Sequence, residues 1–180
     1  MAAVTLIDHQ EAGSGGVASW TKTSIPTDGT YDHLLVKASV RAESSGYIDN
    51  VIGVNLNGDT TGNYTYIEMG ATNATMYGDG VGAATPYARV GVAMGTSSDA
   101  EYFSSLELWI INCANATYFT QMTAKSVTEN QSDTINQWCL TTGMAEWATT
   151  PAVHTVALSV ATGGDFAEYS TFTLYGIKGI

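Results

Sequence analysis

The stretch Tyr31-Asp32-His33-Leu34-Leu35-Val36-Lys37-Ala38-Ser39-Val40-Arg41 decides the fold. Its apolar residues return at every second position. Leu34, Val36, Ala38 and Val40 fall on one side of an extended chain, and Leu35, Lys37, Ser39 and Arg41 fall on the other. Side chains alternate across a strand with a period of two, so this segment reads as a half-buried β-strand with Lys37 and Arg41 on its polar face.

The same period recurs on both sides of it. Ile48, Ile52, Val54 and Leu56 form a row interrupted by Asn50. Leu106, Leu108 and Ile110 form another, then Val156, Leu158 and Val160, and finally Phe172 and Leu174. Between the runs stand Gly13-Ser14-Gly15-Gly16, Pro26-Thr27-Asp28-Gly29, Asn57-Gly58-Asp59 and Gly163-Gly164-Asp165. Gly and Asn accept the positive φ that tight turns require. Strands are predicted near residues 3–10, 17–24, 32–42, 48–57, 63–70, 87–94, 103–112, 118–127, 134–145, 153–160 and 170–177. Short strands at this spacing predict one all-β domain over residues 1–180, an antiparallel β-sandwich of about ten strands. The segment from Asp99 to Ile111 admits a helix, but its alternation from Leu106 onward fits a strand better. The segment from Gly70 to Thr85, rich in Gly, Ala, Asn and Thr, reads as a long exposed loop with a short hairpin around Met76-Tyr77.

Composition narrows the partners. Six Lys and Arg stand against 17 Asp and Glu in 180 residues, a net charge of −11. Phosphate neutralisation needs a basic stripe, so neither nucleic acid nor an anionic membrane surface is an expected partner. No run approaches the ~20 apolar residues of a membrane helix. The first ten residues have no positive segment ahead of an apolar one, so they read as a strand rather than a signal peptide, and assembly in a cytoplasm is expected. Without a secretory route Cys113 and Cys139 read as buried thiols rather than a disulfide, and the four Asn-x-Ser/Thr sequons as chance. Charged residues make up only 13% of the chain, against about 25% usually. The surface must therefore be built from Ser, Thr, Asn, Gly and Tyr, which suits a face covered by neighbours.

Candidates for chemistry are few. His9, His33 and His154 share no metal-ligand spacing. Asn55, Asn57, Asp59 and Asp79 are oxygen ligands of the kind calcium takes, but they match no calcium loop and read as turn formers. Ser14 lacks the strand–turn–helix context of a nucleophile elbow. Glu68, Glu101, Glu107 and Glu146 are carboxylates whose convergence a sequence does not display. Gly78-x-Gly80-x-Gly82 opens no helix and is no dinucleotide fingerprint. No catalytic, cofactor-binding or metal-binding residue is assigned, and no enzyme activity is expected. Among the aromatics, Tyr and Trp at loops can stack on sugars or anchor an interface. Met76, Tyr77, Tyr87 and Trp147 are the candidate partner-binding residues.

Four stretches taken together resemble a family of small virion proteins from tailed bacteriophages. The Tyr31–Arg41 stretch is similar to that family's Y-x-x-L-x-L-x-x-S-x-R segment. Val54-Asn55-Leu56-Asn57-Gly58-Asp59-Thr60-Thr61-Gly62-Asn63-Tyr64 is similar to F-N-G-D-x-x-x-N-Y. Phe103 to Asn112 is similar to I-x-I-x-N-Y, and Ser170 to Ile177 to S-x-F-x-L-Y-G-I. Leu56 stands where the family has an aromatic, and Asn112-Cys113 where it has Asn-Tyr. The resemblance runs from about Ala3 to Ile177. It implies a jelly-roll-like sandwich and a structural or adhesive role on a virion, with no catalytic residues to carry over. Such proteins serve as capsid decoration (cement) proteins or as distal domains of tail fibres. A first strand starting close to Met1 leaves no room for a fibre shaft, which tilts the expectation to cement. The partners implied are the major capsid protein and further copies of the chain, with a trimer favoured, and the location the capsid surface. The N-terminal strand and the Gly70–Thr85 loop are the expected contact elements. The alternative is a tail-fibre or spike module that recognises host glycan.

Overall fold

The Leu34–Val40 alternation becomes an interior strand of a wide sheet. The computed structural model describes residues 3–45, 50–72, 75–129 and 138–179. Among them are twelve strands and no helix. The strands are β1 (Ala3–Glu11), β2 (Ser19–Lys22), β3 (His33–Val40), β4 (Asn50–Leu56), β5 (Tyr64–Thr72), β6 (Thr75–Thr85), β7 (Ala88–Ala93), β8 (Ser104–Ile111), β9 (Thr120–Glu129), β10 (Trp138–Trp147), β11 (Val156–Val160) and β12 (Thr171–Lys178). They form an eight-stranded sheet, β1-β12-β3-β8-β9-β10-β5-β6, and a four-stranded sheet, β2-β11-β4-β7. Every neighbouring pair is antiparallel.

The frame is a jelly roll. Setting aside β5, β6, β9 and β10 leaves β1-β12-β3-β8 facing β2-β11-β4-β7. Along this frame the chain crosses between the two sheets from β1 to β2, β2 to β3, β3 to β4, β7 to β8, β8 to β11 and β11 to β12. That is the double Greek-key path of eight strands in two sheets. The other four strands enter as two insertions, one between β4 and β7 and one between β8 and β11. They pair with each other through β10 and β5 and extend the larger sheet as a wing.

The predicted apolar rows meet in the core. Leu34, Val36, Val40, Ile52, Val54, Leu56, Leu108, Ile110, Val156, Leu158, Phe172 and Leu174 are all fully buried or nearly so. Burying one such side chain is worth about 1.5–3 kcal/mol. Trp20 on β2 stacks on Phe172 of β12 across the sandwich, with ring centroids 5.7 Å apart, and Phe166 meets Phe172 edge-on at 4.9 Å. Ile48 lies outside the described residues.

Two expectations are corrected. The segment from Gly70 to Thr85 is not a loop: it holds the end of β5 and the eleven-residue strand β6, which pairs back on β5 from Thr72↔Thr75 to Tyr64↔Thr85. Its small residues hide an alternation that only the partner strand reveals. Arg41 does not share the solvent face with Lys37. Past Val40 the strand ends, and the Arg41 guanidinium turns inward at 8% exposure. There it donates to the carbonyls of Ser98 (2.6 Å), Asp99 (2.6 Å) and Tyr102 (3.1 Å), fixing the loop between β7 and β8.

Candidate functional site

The four residues picked as partner contacts do not converge. Met76 is 82% exposed on β6. Tyr77 follows it on the opposite face, where the tip of its ring lies over Gly70 on β5. Tyr87 packs its ring against Gly53 of β4. Trp147 is the correction: at 2% exposure it belongs to the core. Its ring stacks on Tyr64 at 6.5 Å, and its indole N–H donates to Asp59 Oδ2 at 2.7 Å. A side chain so enclosed offers no ring face to a sugar or a partner.

Asp59 is the centre of a hydrogen-bonded corner. It accepts from the Thr61 backbone N–H (2.9 Å), the Thr61 hydroxyl (2.6 Å), the Asn63 amide (2.8 Å) and the Trp147 indole. Partial burial on its own would raise its pKa, but these hydrogen bonds outweigh that and hold the carboxyl well below the usual carboxylate range. Beside it, Asn57 at φ 55° uses its amide to accept from His154 and Thr155 backbone N–H groups. Tyr64 puts its hydroxyl on the backbone of Leu56. The Asn57–Tyr64 motif is therefore the clasp joining β4, β5 and β10.

A second polar cluster ties the wing to the smaller sheet. Arg89 on β7 donates to Glu68 of β5 at 3.1 Å and to Asp79 of β6 at 2.8 Å, and its guanidinium lies 5.7 Å from the Tyr66 ring centroid. Glu68 is 6% exposed. Burial pushes its pKa up, Arg89 pulls it down and Asp79 adds to the rise; burial wins. Sequence reading missed this cluster because Glu68 and Asp79 are cross-strand partners only once residues 75–85 are a strand.

The outer face of the eight-stranded sheet is the broadest feature. Strand register lays its side chains in rows. One row runs Leu6, Tyr175, Leu35, Trp109, Thr123, Met144, Ile67. The next runs Thr173, Lys37, Glu107, Lys125 and, on β5, Met69, and on the other side Ile111, Gln121, Glu146, Thr65. Among the described residues ten large apolar side chains are exposed, and seven belong to this face: Val4, Leu6, Ile67, Met69, Met76, Val127 and Met144. Monomeric soluble proteins seldom leave so many on one side, and contiguous apolar patches mark contact surfaces.

A shallow basin of about 480 Å³ interrupts the face. Hydroxyls of Ser39, Ser105, Thr171 and Thr173 line it, together with Lys37, Glu107 and Lys125. Glu107 pairs with Lys37 and accepts the Trp109 indole N–H at 3.1 Å; these two hydrogen bonds hold its carboxyl below the ordinary value. Lys125 has no ion-pair partner among the described residues.

The other candidates are scattered. His9 meets Thr173, His33 accepts the Asn112 backbone N–H, and His154 meets Thr155, each at a different place in the fold. Among the described residues no three His, Cys, Asp or Glu side chains gather where they could hold a metal. Glu68 faces inward under the wing while Glu107 and Glu146 face outward, so these carboxylates do not share a cleft. Cys113 is a free thiol, 1% exposed, with burial pushing its pKa up to about 11; Cys139 lies on β10, and its side chain is outside the described set. Comparison with known proteins found no matching family model and no matching curated protein.

Proposed function

We propose that this chain is a virion structural protein of a tailed phage, a decoration (cement) protein that seats on the assembled capsid shell. One observation carries the reading: the exposed apolar side chains are concentrated on one broad, rigid sheet face rather than gathered around a cleft. Such a face adheres; it does not react. The four stretches of resemblance support it from the other side, because they are parts of one frame. The first and fourth are the paired strands β3 and β12, tied at both ends: the Ser170 hydroxyl meets the Arg41 backbone, and the Tyr31 ring lies against Gly176.

In this reading the part of the face near the N-terminal strand, with Val4, Leu6, Tyr175 and Leu35, rests on the major capsid protein. A protein that binds only the assembled lattice stabilises it by mass action. Many weak contacts repeated over a lattice add up through effective concentration. The test compares particles stripped of the protein, restored with it, and restored with Leu6→Asp. Restored particles are expected to withstand heat and osmotic shock better than stripped ones, and the variant to fail to bind. Equal resistance of stripped and complete particles would sink the proposal.

A second reading, a tail-fibre or spike module recognising host glycan, has one feature in its favour. The hydroxyl-lined basin lies beside Trp109, an arrangement of polar groups and an aromatic that suits a sugar. Binding on a glycan array that is lost in Trp109→Ala, with labelling on tails, would move the assignment there.

A further inference from the structure

Beyond its Tyr64–Trp147 end, which joins the core, the wing wears its pattern inside out. On β9 the inward side chains include Ser126 and Thr128, both 1% exposed, and on β5 the inward Glu68 is 6% exposed. The outward ones are Val127 at 49%, Ile67 at 54%, Met69 at 57% and Met144 at 62%. A sheet with one solvated face normally shows the reverse. Inside, β7 satisfies two of these polar groups, Glu68 through Arg89 and the Ser126 hydroxyl through the Val92 backbone N–H at 3.2 Å, while the Thr128 hydroxyl has no partner among the described residues. Outside, among the described residues, nothing covers the apolar groups, and an apolar hollow of about 250 Å³ lies between Ile111, Thr123, Met144 and Thr65. Methionines suit a surface that must fit a partner, since their side chains are long and polarisable.

We infer that the outer face of the wing is the contact between two copies of this chain, related by a two-fold axis lying along the Trp109–Thr123–Met144–Ile67 row, with Lys125 of each copy meeting Glu146 of the other. Charge and area both select a second copy. The chain carries −11 overall, so two copies repel wherever acidic surfaces meet. The wing's described outward side chains hold one cation, Lys125, and one anion, Glu146, and so have no net charge. They stand on opposite sides of the apolar row, one row away each: Lys125 is opposite Glu107 and Thr142, Glu146 opposite Gln121 and Thr65. A two-fold axis along that row lays one side over the other. Lys125 then falls over Gln121 of the second copy, one strand spacing, about 4.8 Å, from Glu146. Two long side chains span that offset, and the symmetry makes the pair twice. Met144 and Ile67 meet their own copies in the middle, with the charges as a polar rim. With β8, whose outward Glu107 is paired with Lys37 of β3, the five strands from β8 to β6, spaced about 4.8 Å and about 30 Å long, give a footprint of about 700 Å². A standard interface takes about 800 Å² from each partner.

This inference does not depend on the capsid reading, because the test uses the purified full chain with no particle present. Sedimentation over a concentration series is expected to give a reversible dimer. Lys125→Glu and Glu146→Lys should each raise the dissociation constant about tenfold or more, since each sets like charges face to face twice. The double swap should restore it to within a few-fold of the starting value. Met144→Asp should leave a monomer with an unchanged far-ultraviolet dichroism spectrum. A monomer at every concentration, a mass of three copies, or a dimer indifferent to these changes would overturn the inference. So would a double swap no better than the single ones, and this arm decides the matter if Met144→Asp does not fold.

Discussion

Asp59→Asn changes one atom in kind and almost nothing in shape, yet it should cost about 3 kcal/mol. Oδ1 accepts both the backbone N–H and the hydroxyl of Thr61; Oδ2 accepts the Asn63 amide and the Trp147 indole. An amide replaces one of these oxygens by a donor. Turned toward Asn63 and Trp147 the new donor faces two donors; turned toward Thr61, whose hydroxyl can rotate to accept, it still faces the backbone N–H, and every remaining bond loses its charged acceptor. Hydrogen bonds to a charged group are worth about 1.5–3 kcal/mol each, and a buried donor left unpaired costs about 1–3 kcal/mol. The Trp147 N–H belongs to a residue 2% exposed, so water reaches it poorly. For a chain of this size about 3 kcal/mol lowers the melting temperature by roughly 6–12 °C. The pH dependence carries its own signature. The folded-state pKa of Asp59 is depressed, so its contribution is present above the unfolded-state value of about 3.9 and is lost as pH falls below it. Wild type should therefore lose stability in acid, and the variant should lose less over the same interval. Urea unfolding at neutral and acid pH, followed by tryptophan fluorescence, reads both effects. A variant within about 0.5 kcal/mol of wild type at neutral pH, or one with an unchanged acid limb, would refute the corner as a charge-centred clasp.

Removing Arg89 leaves Glu68 buried beside Asp79 with no cation, so Arg89→Ala should cost about 2–4 kcal/mol, toward the lower side because the Arg89 side chain is 25% exposed. Glu68→Gln should cost less. The folded-state pKa of Glu68 is raised, so its charged form loses stability as pH rises above the ordinary carboxylate range. The Gln variant should lose that component, which unfolding between pH 4 and 7 would display. Two glycines of the wing seam should behave differently on mutation to Ala. At Gly91 an added Cβ would sit 2.7 Å from both the Cβ and Oγ of Ser126, whose hydroxyl is held by Val92, so a cost of about 1–3 kcal/mol is expected. At Gly70 the three nearest atoms to the added Cβ belong to the tip of the Tyr77 ring rather than to a tightly held strand neighbour, so thermal melts should show the smaller loss there.

The frame was legible where the chain alternates and the partner strand is not needed to see it. Leu34–Val40, Leu106–Ile110, Val156–Val160 and Phe172–Leu174 each bury one face against the opposite sheet, and each reads correctly from its own residues. β6 was illegible for the opposite reason. Its Gly78, Gly80 and Gly82 have no side chains to alternate, and its one charged residue, Asp79, points to an arginine ten positions later. Arg41 was misplaced because period two holds only while a strand lasts, and no residue marks the twist past Val40. Trp147 was misread because an indole looks the same in sequence whether its N–H faces solvent or Asp59. The clasp carried a signal that the sequence offered plainly, Asn57-Gly58-Asp59 before Asn63-Tyr64, but its reading stopped at turn chemistry. The role of Asp59 depends on Trp147, 88 residues away.

The insertions explain why this jelly roll has two unlike faces. An eight-stranded jelly roll needs only β1-β12-β3-β8 over β2-β11-β4-β7 to close a core, and Trp20, Phe166 and Phe172 pack together between those two sheets. The wing is therefore extra sheet. At the Asp59 corner its inner side joins the core through Tyr64, Met122 and Trp147, and farther along it is held by directional polar bonds to β7. Its outer side carries the apolar residues that a core would ordinarily take. Beyond that corner, a wing serving its own chain alone would place Ile67, Met69 and Met144 inward and Glu68 outward. The observed register does the reverse, with Arg89 in place to hold the buried carboxylate. The wing thus gives up some apolar burial within one chain, and what it gains is an apolar, adaptable surface of no net charge for another.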